Sequence, residues 1–177
     1  YRGASKVIAI EPVPTYVELI KENIRLNNLE DRVIILNAAL SSKADEKIEV
    51  PLVPTEHYVY NFTIYRARKI PKNTLHNIKV FPTTYINTVT LSDIVNLLSD
   101  PNNAILKMDC EGCEYDIILN DYEHVRIFKE LIFEYHEIFS GIPKERLLQV
   151  LAKDFNCRII RDGYIGLVKC IRLEGSS

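Results

Sequence analysis

The chain has no apolar run near the roughly 18 residues that a membrane-spanning helix requires. It also has no excess of charge of one sign, since 22 Lys and Arg stand against 24 Asp and Glu for a net charge of -2. The first absence argues against a membrane partner. The second removes any global attraction to nucleic acid or an anionic bilayer, so neither is expected as a partner and any such contact would have to be local. A signal peptide, an internal repeat, a low-complexity tract and a break in composition are missing as well. Residues 1–177 are therefore read as a single cytoplasmic domain, and 47% hydrophobic with 26% charged residues fits a folded core rather than disorder.

Cysteine is sparse, with four residues, Cys110, Cys113, Cys157 and Cys170. Cys110 and Cys113 form C-x-x-C, but the second pair lacks the matching spacing, so structural zinc is not expected. A thioredoxin-type redox pair would sit in a different βαβ context. The expectation is small apolar cysteines, unpaired in a reducing cytoplasm.

What is present is a strand and helix rhythm. Val7-Ile8-Ala9-Ile10-Glu11-Pro12 reads as a strand ended by proline with an acidic tip. Thr15 and Glu18 form a capping box for a helix whose apolar side is Val17, Ile20, Ile24 and Leu26. Arg32 to Leu36 is β-branched and runs into Asn37-Ala38-Ala39, so strand, helix and strand make a crossover unit with parallel pairing. Residues 41–90 break this rhythm and read as an insertion. Within it Ile48 to Val53 is an edge strand, confined there by Pro51 and Pro54. The aromatic run His57 to Tyr65, followed by Arg66, Arg68, Lys69 and Lys72, reads either as a packed β excursion or as a lid.

Thr90 caps the next helix, with Asp93 in its first turn, as far as about Leu98. Ala104 to Met108 has the length of a buried strand and breaks into Asp109, Glu111 and Glu114 around Gly112 before a helix over 114–120. Glu130 to His136 is a further strand, and Pro143 opens a helix with Leu147, Leu148, Val150 and Leu151 on its buried stripe. Asp162-Gly163 turns a hairpin between Cys157–Arg161 and Tyr164–Arg172, which makes Cys157 and Cys170 diagonal neighbours.

Three strands thus end in polar residues, Glu11, Asp109, and Glu134 with His136. In an open α/β sheet such ends lie along one rim, where ligands bind. A carboxylate closing the second strand of such a unit is placed to accept the ribose hydroxyls of a nucleotide. Lys107, inside a strand, reads as a structural ion-pair partner of a neighbouring carboxylate.

With Val7 to Pro12, Ile24-Arg25-Leu26-Asn27-Asn28, Thr90 to Ile94, the Lys-x-Asp-x-Glu-Gly-x-Glu signature of residues 107–114, and Phe133-Glu134-Tyr135-His136, the chain resembles the FkbM family of S-adenosylmethionine-dependent methyltransferases. The resemblance implies a Rossmann-like α/β class I methyltransferase sheet, mostly parallel with a C-terminal antiparallel hairpin. It also implies S-adenosylmethionine as cofactor and methylation of a hydroxyl on a small molecule or sugar. Glu11 would bind the cofactor ribose, Asn37 and Ala38 would lie near the adenine, and Asp109, Glu134 and His136 would face the methyl group. Glu111 and Glu114 would meet the acceptor.

A methyl group leaving a sulfonium travels in line to its nucleophile, so such a protein chiefly supplies alignment. The hydroxyl proton goes to a general base, and His136 is preferred over Asp109 because an imidazole titrates near neutrality. The carboxylates lack a recognised ligand spacing, so no metal is expected. A homo-oligomer is allowed for, and a degenerate scaffold serving as an interaction module is the alternative to an enzyme. The family's glycine-rich first strand does not precede Val7. It is expected upstream of Tyr1, and without it the Val7 and Ala104 strands would face each other across a gap of about 10 Å, twice the ordinary interstrand spacing.

Overall fold

The computed structural model describes residues 3–52 and 82–175. The run His57 to Tyr65 and the cations after it, expected as a β excursion or a lid, lie outside the described residues. Among the described residues nine strands fall into three small sheets, so the protein is mixed α/β.

In the first sheet β1 (Val7–Ile10) pairs in parallel with β2 (Val33–Leu36), Val7 opposite Val33 and Ile10 opposite Leu36. The helix between them, α1 (Pro14–Leu26), starts two residues earlier than the capping box suggested. Val13 is its N-cap and Pro14 its first residue, where a fixed φ and a missing N–H cost nothing. Thr15 is therefore inside the helix and cannot cap, and its buried hydroxyl has no hydrogen-bond partner among the described residues. Of the expected apolar side Val17 is buried, whereas Leu26 is exposed.

The second sheet has the order β3-β5-β4, where β3 is Ala39–Leu40, β4 is Lys47–Pro51 and β5 is Thr83–Val89. β4 is an edge strand with Pro51 at its end, as its prolines require. β5 went unread inside the expected insertion. It returns the chain to the sheet, Ala39 pairing with Thr88 and Leu40 with Val89 in parallel. Its alternation places Ile86 and Thr88 inside. Thr90 then caps α2 (Leu91–Val95) in a complete capping box: its side chain accepts from the Asp93 amide, and the Asp93 carboxylate accepts from the Thr90 amide at 2.8 Å.

The third sheet has the order β6-β7-β9-β8, comprising β6 (Ile105–Met108), β7 (Glu130–His136), β8 (Phe155–Arg161) and β9 (Ile165–Arg172). β6 and β7 are parallel, and β9 runs antiparallel to both of its neighbours. The helices α3 (Cys113–Asn120), α4 (Tyr122–Val125), α5 (Glu137–Ser140) and α6 (Lys144–Leu151) complete this half. Leu131, Phe133, Tyr135, Ile117, Leu147 and Val168 form the centre of the main core.

Two expectations about cysteine are overturned. Cys157 sits directly opposite Cys170 rather than diagonal to it, because the turn spans residues 162–166, with Arg161 opposite Leu167, and a bulge in β8 between Ile159 and Arg161 then takes back one residue. Both Cys157–Cys170 and Cys110–Cys113 are joined as disulfides, leaving no free cysteine. No described helix is long and apolar enough to cross a membrane.

Candidate functional site

β1 and β6 belong to separate sheets, and a cleft of about 710 Å³ lies along both. Ile105, Leu106, Lys107 and Met108 all line it. Consecutive strand residues point to opposite faces, so a cavity that touches all four runs along the edge of the strand. Val7, Ile8, Ile10 and Glu11 line it from the β1 side, with Leu40, Leu91 and Ile94 contributing further apolar surface. The gap foreseen between these strands is thus open.

Lys107 is exposed on this edge and has no ion pair among the described residues, which corrects the expectation of a structural ion pair. Ile105 is likewise 58% exposed, in contrast to the buried strand that its apolar run suggested.

At the carboxyl end of β1, Glu11 is half-buried on the cleft wall. Its Oε1 accepts from the Val13 amide at 2.7 Å, while Oε2 takes no hydrogen bond among the described residues. Burial raises its pKa above the ordinary carboxylate value, and the Val13 hydrogen bond only partly opposes this. The Asn37 amide nitrogen donates to the Glu11 and Pro12 carbonyls, both at 3.0 Å, tying the ends of β1 and β2 together. Asn37 and Ala38 do not line the cleft. Their neighbours Ala39 and Leu40 do.

Across the cleft, the end of β6 turns through Asp109, Cys110, Glu111 and Gly112 into α3. Glu111 has φ 55° and Gly112 φ 110°, two left-handed residues in succession. For a non-glycine residue that conformation costs roughly 1–2 kcal/mol, and the Cys110–Cys113 disulfide spans it. Asp109 and Glu111 line the cleft.

Glu114, expected to meet the acceptor, is fully buried in the first turn of α3. It accepts from the Gly112 amide at 2.9 Å and contacts His136 Nδ1 at 2.5 Å, so it is spent on the turn and the imidazole.

His136 is 1% exposed at the end of β7 and stacks on Phe139. Its Nε2 lies 3.4 Å from Glu111 and 3.6 Å from Glu134. Glu134 is in turn ion-paired with Arg161. His136 and Glu134 thus stand behind Glu111 rather than on the cleft wall. Burial opposes a charge on His136, but Glu114, Glu111 and Glu134 together raise its pKa above the ordinary imidazole value. Burial raises Glu111 too, against the pull of His136, and Asp109, Glu114 and Glu134 add to the rise.

Asp109, Glu111 and His136 each present a donor atom, all within 4.8 Å of one another. A second trio, Cys110, Cys113 and Glu114, also converges, but its two sulfurs are bonded to each other.

Asp116 escaped the sequence reading. From α3 it accepts hydrogen bonds from the Ser42 amide and hydroxyl, both at 2.9 Å, docking the second sheet against the third. Its only sequence signal was a carboxylate in the first turn of a helix.

A family model described as "Methyltransferase FkbM domain" matches residues 1–157. No curated protein and no solved structure matches the chain.

Proposed function

Because the chain belongs to the FkbM methyltransferase family and is accordingly a methyltransferase, we propose that it transfers the methyl group of S-adenosylmethionine to a hydroxyl of a small molecule or sugar. The observation that carries this reading is the placement of Glu11 and of Asp109 with Glu111 at the carboxyl ends of β1 and β6, on one cleft. S-adenosylmethionine, when bound, supplies an electrophilic methyl group on a positively charged sulfur.

The residues present fit that group. Glu11 Oε2 is half-buried and takes no hydrogen bond among the described residues, so it is available to accept from ribose hydroxyls. Leu40, Leu91 and Ile94 supply apolar surface on the same cleft. Asp109 and Glu111 place negative charge where a sulfonium is favoured. A hydroxyl acceptor gives up a proton as it is methylated, and the Glu111, Glu134 and His136 cluster receives it, with Glu111 the member that reaches the cleft. The work of the chain is alignment, dry surroundings and a sink for that proton.

Calorimetry with S-adenosylmethionine, on the chain carrying the strand expected upstream of Tyr1, should show micromolar-range binding. Glu11→Ala should weaken it by roughly 10- to 100-fold, the equivalent of about 1.5–3 kcal/mol for hydrogen bonds to a charged group. A panel of hydroxylated small molecules and sugars, scored for label from methyl-labelled cofactor, then identifies the acceptor. Absence of cofactor binding would overturn the reading.

A further inference from the structure

We propose that Asp109, Glu111 and His136 bind one first-row divalent cation of the Mn²⁺ to Zn²⁺ series at the cleft wall. That the ion could hold an acceptor oxygen rests on the methyl-transfer reading; its binding does not. With the ion in place Glu111 and His136 are ligands rather than proton acceptors, and the ion would instead acidify the bound hydroxyl so that its proton leaves to solvent.

The first argument is charge. Asp109, Glu111, Glu114 and Glu134 surround a single imidazole, and Arg161 is paired with Glu134 alone. Among the described residues no Lys or Arg is paired with Asp109, Glu111 or Glu114. A proton on His136 offsets one of these carboxylates. A divalent cation offsets two.

The second argument is the direction of the imidazole. Glu114 is fully buried, held by the Gly112 amide, and engages Nδ1. That contact fixes the ring and turns Nε2 toward Glu111 and Glu134. In a side chain that is 1% exposed, Nε2 makes no hydrogen bond among the described residues. A histidine backed by a hydrogen-bonded carboxylate on one nitrogen, with the other aimed at a candidate co-ligand 3.4 Å away, has the form of a metal-ligating imidazole.

The third argument is the donor set. Two carboxylate oxygens and one imidazole nitrogen suit Mn²⁺, Fe²⁺ or Zn²⁺ better than the all-oxygen shells of Mg²⁺ and Ca²⁺. The three donors lie within 4.8 Å of one another. Two donors bound at about 2.1 Å can be no more than about 4.2 Å apart, a limit that Glu111 and His136 Nε2 already meet at 3.4 Å, so a modest torsion of the exposed Asp109 completes the fit. Three protein ligands leave coordination positions open. Asp109 and Glu111 line the cleft, so the open positions face it. Sequence spacing could not show the site, because one ligand comes from the end of a different strand.

The test is a titration of the metal-stripped full chain with Mn²⁺ alone, followed by electron paramagnetic resonance, with far-UV circular dichroism as the check on folding. The expected result is one Mn²⁺ per chain, with affinity at least tenfold weaker in Asp109→Asn and in Glu111→Gln. Asp109 is exposed, so its variant keeps the fold. Glu114→Gln, outside the ligand set, should weaken binding by roughly 10- to 100-fold. Equal Mn²⁺ affinity in the parent and in an Asp109→Asn, Glu111→Gln double variant would overturn the proposal. Calorimetry with S-adenosylmethionine, on the stripped chain carrying the strand expected upstream of Tyr1, separates the two readings. Cofactor binding without Mn²⁺ binding sinks the ion site alone, and Mn²⁺ binding without cofactor binding sinks the cofactor reading alone.

Discussion

On the β6 side of the cleft, Leu131, Tyr135, Val168, Ile117 and Leu151 are wholly buried in one continuous core. On the β1 side, Val17 is the one buried residue between Val7 and Leu36. The cause is architectural. Four strands covered by helices enclose their own side chains, whereas two strands and a helix leave most of theirs half-wet. Both walls nevertheless bring acidic residues to the same opening, so recognition is divided between a rigid platform and a lightly packed flap.

Core truncation should break this comparison most sharply. Phe133→Ala, at a residue 1% exposed, should lose about 3–5 kcal/mol of stability in urea denaturation. Leu19→Ala, on α1 and 51% exposed, should stay within about 0.5 kcal/mol. Equal losses would mean that the flap is as well packed as the platform.

Gly166→Ala tests the platform from its far edge. A β-carbon there would lie 2.3 Å from the Tyr135 ring and hydroxyl and 2.6 Å from the Arg161 carbonyl. Tyr135 would have to leave Asp162, to which its hydroxyl donates at 2.7 Å. The expected loss is about 1–3 kcal/mol, read as a lowered urea midpoint.

A smaller effect belongs to the flap. Burial holds the Glu11 pKa above the ordinary carboxylate value. Ribose hydroxyls donate to the ionised form, so cofactor affinity is full above that raised pKa and falls as pH drops through it. Well below the pKa the fall approaches about tenfold per pH unit. Calorimetry from pH 7 to pH 5 should show the decline beginning at a higher pH than an ordinary carboxylate would give, with the Glu11 component missing in Glu11→Gln. Smallest of all, Thr90→Ala should cost about 1 kcal/mol by removing one half of the capping box, measured as a shift in thermal midpoint.

The same asymmetry governs what could be read from sequence. Strand β7 and the helices α3 and α6 were legible because their apolar residues recur at the period of a packed face. The capping box at Thr90 was legible for a local reason, whereas the similar pattern at Thr15 was not used because Pro14 had already started the helix. β5 was missed because its pairing with β3 and β4 is set by residues more than thirty positions away. The acidic tips were found individually. Glu114 and His136 as a buried pair were not, since the contact joins a helix turn to the end of another strand. The turn over residues 162–166 and the bulge in β8 together set the Cys157 and Cys170 register, and the Asp162-Gly163 motif shows neither.

Asp116 is five residues beyond Glu111, on the helix that begins at the acidic turn, and it grips the segment just after Leu40. The floor of the cleft at Leu40 and its lip at Glu111 are therefore anchored to one helix and shift together. Any widening to admit a bulky guest falls to the opposite jaw, where Asn37 laces the tips of β1 and β2 and carries Glu11 with them. Ligand capture would then register as an inward swing of Glu11, with the carboxylates of the lip keeping their place.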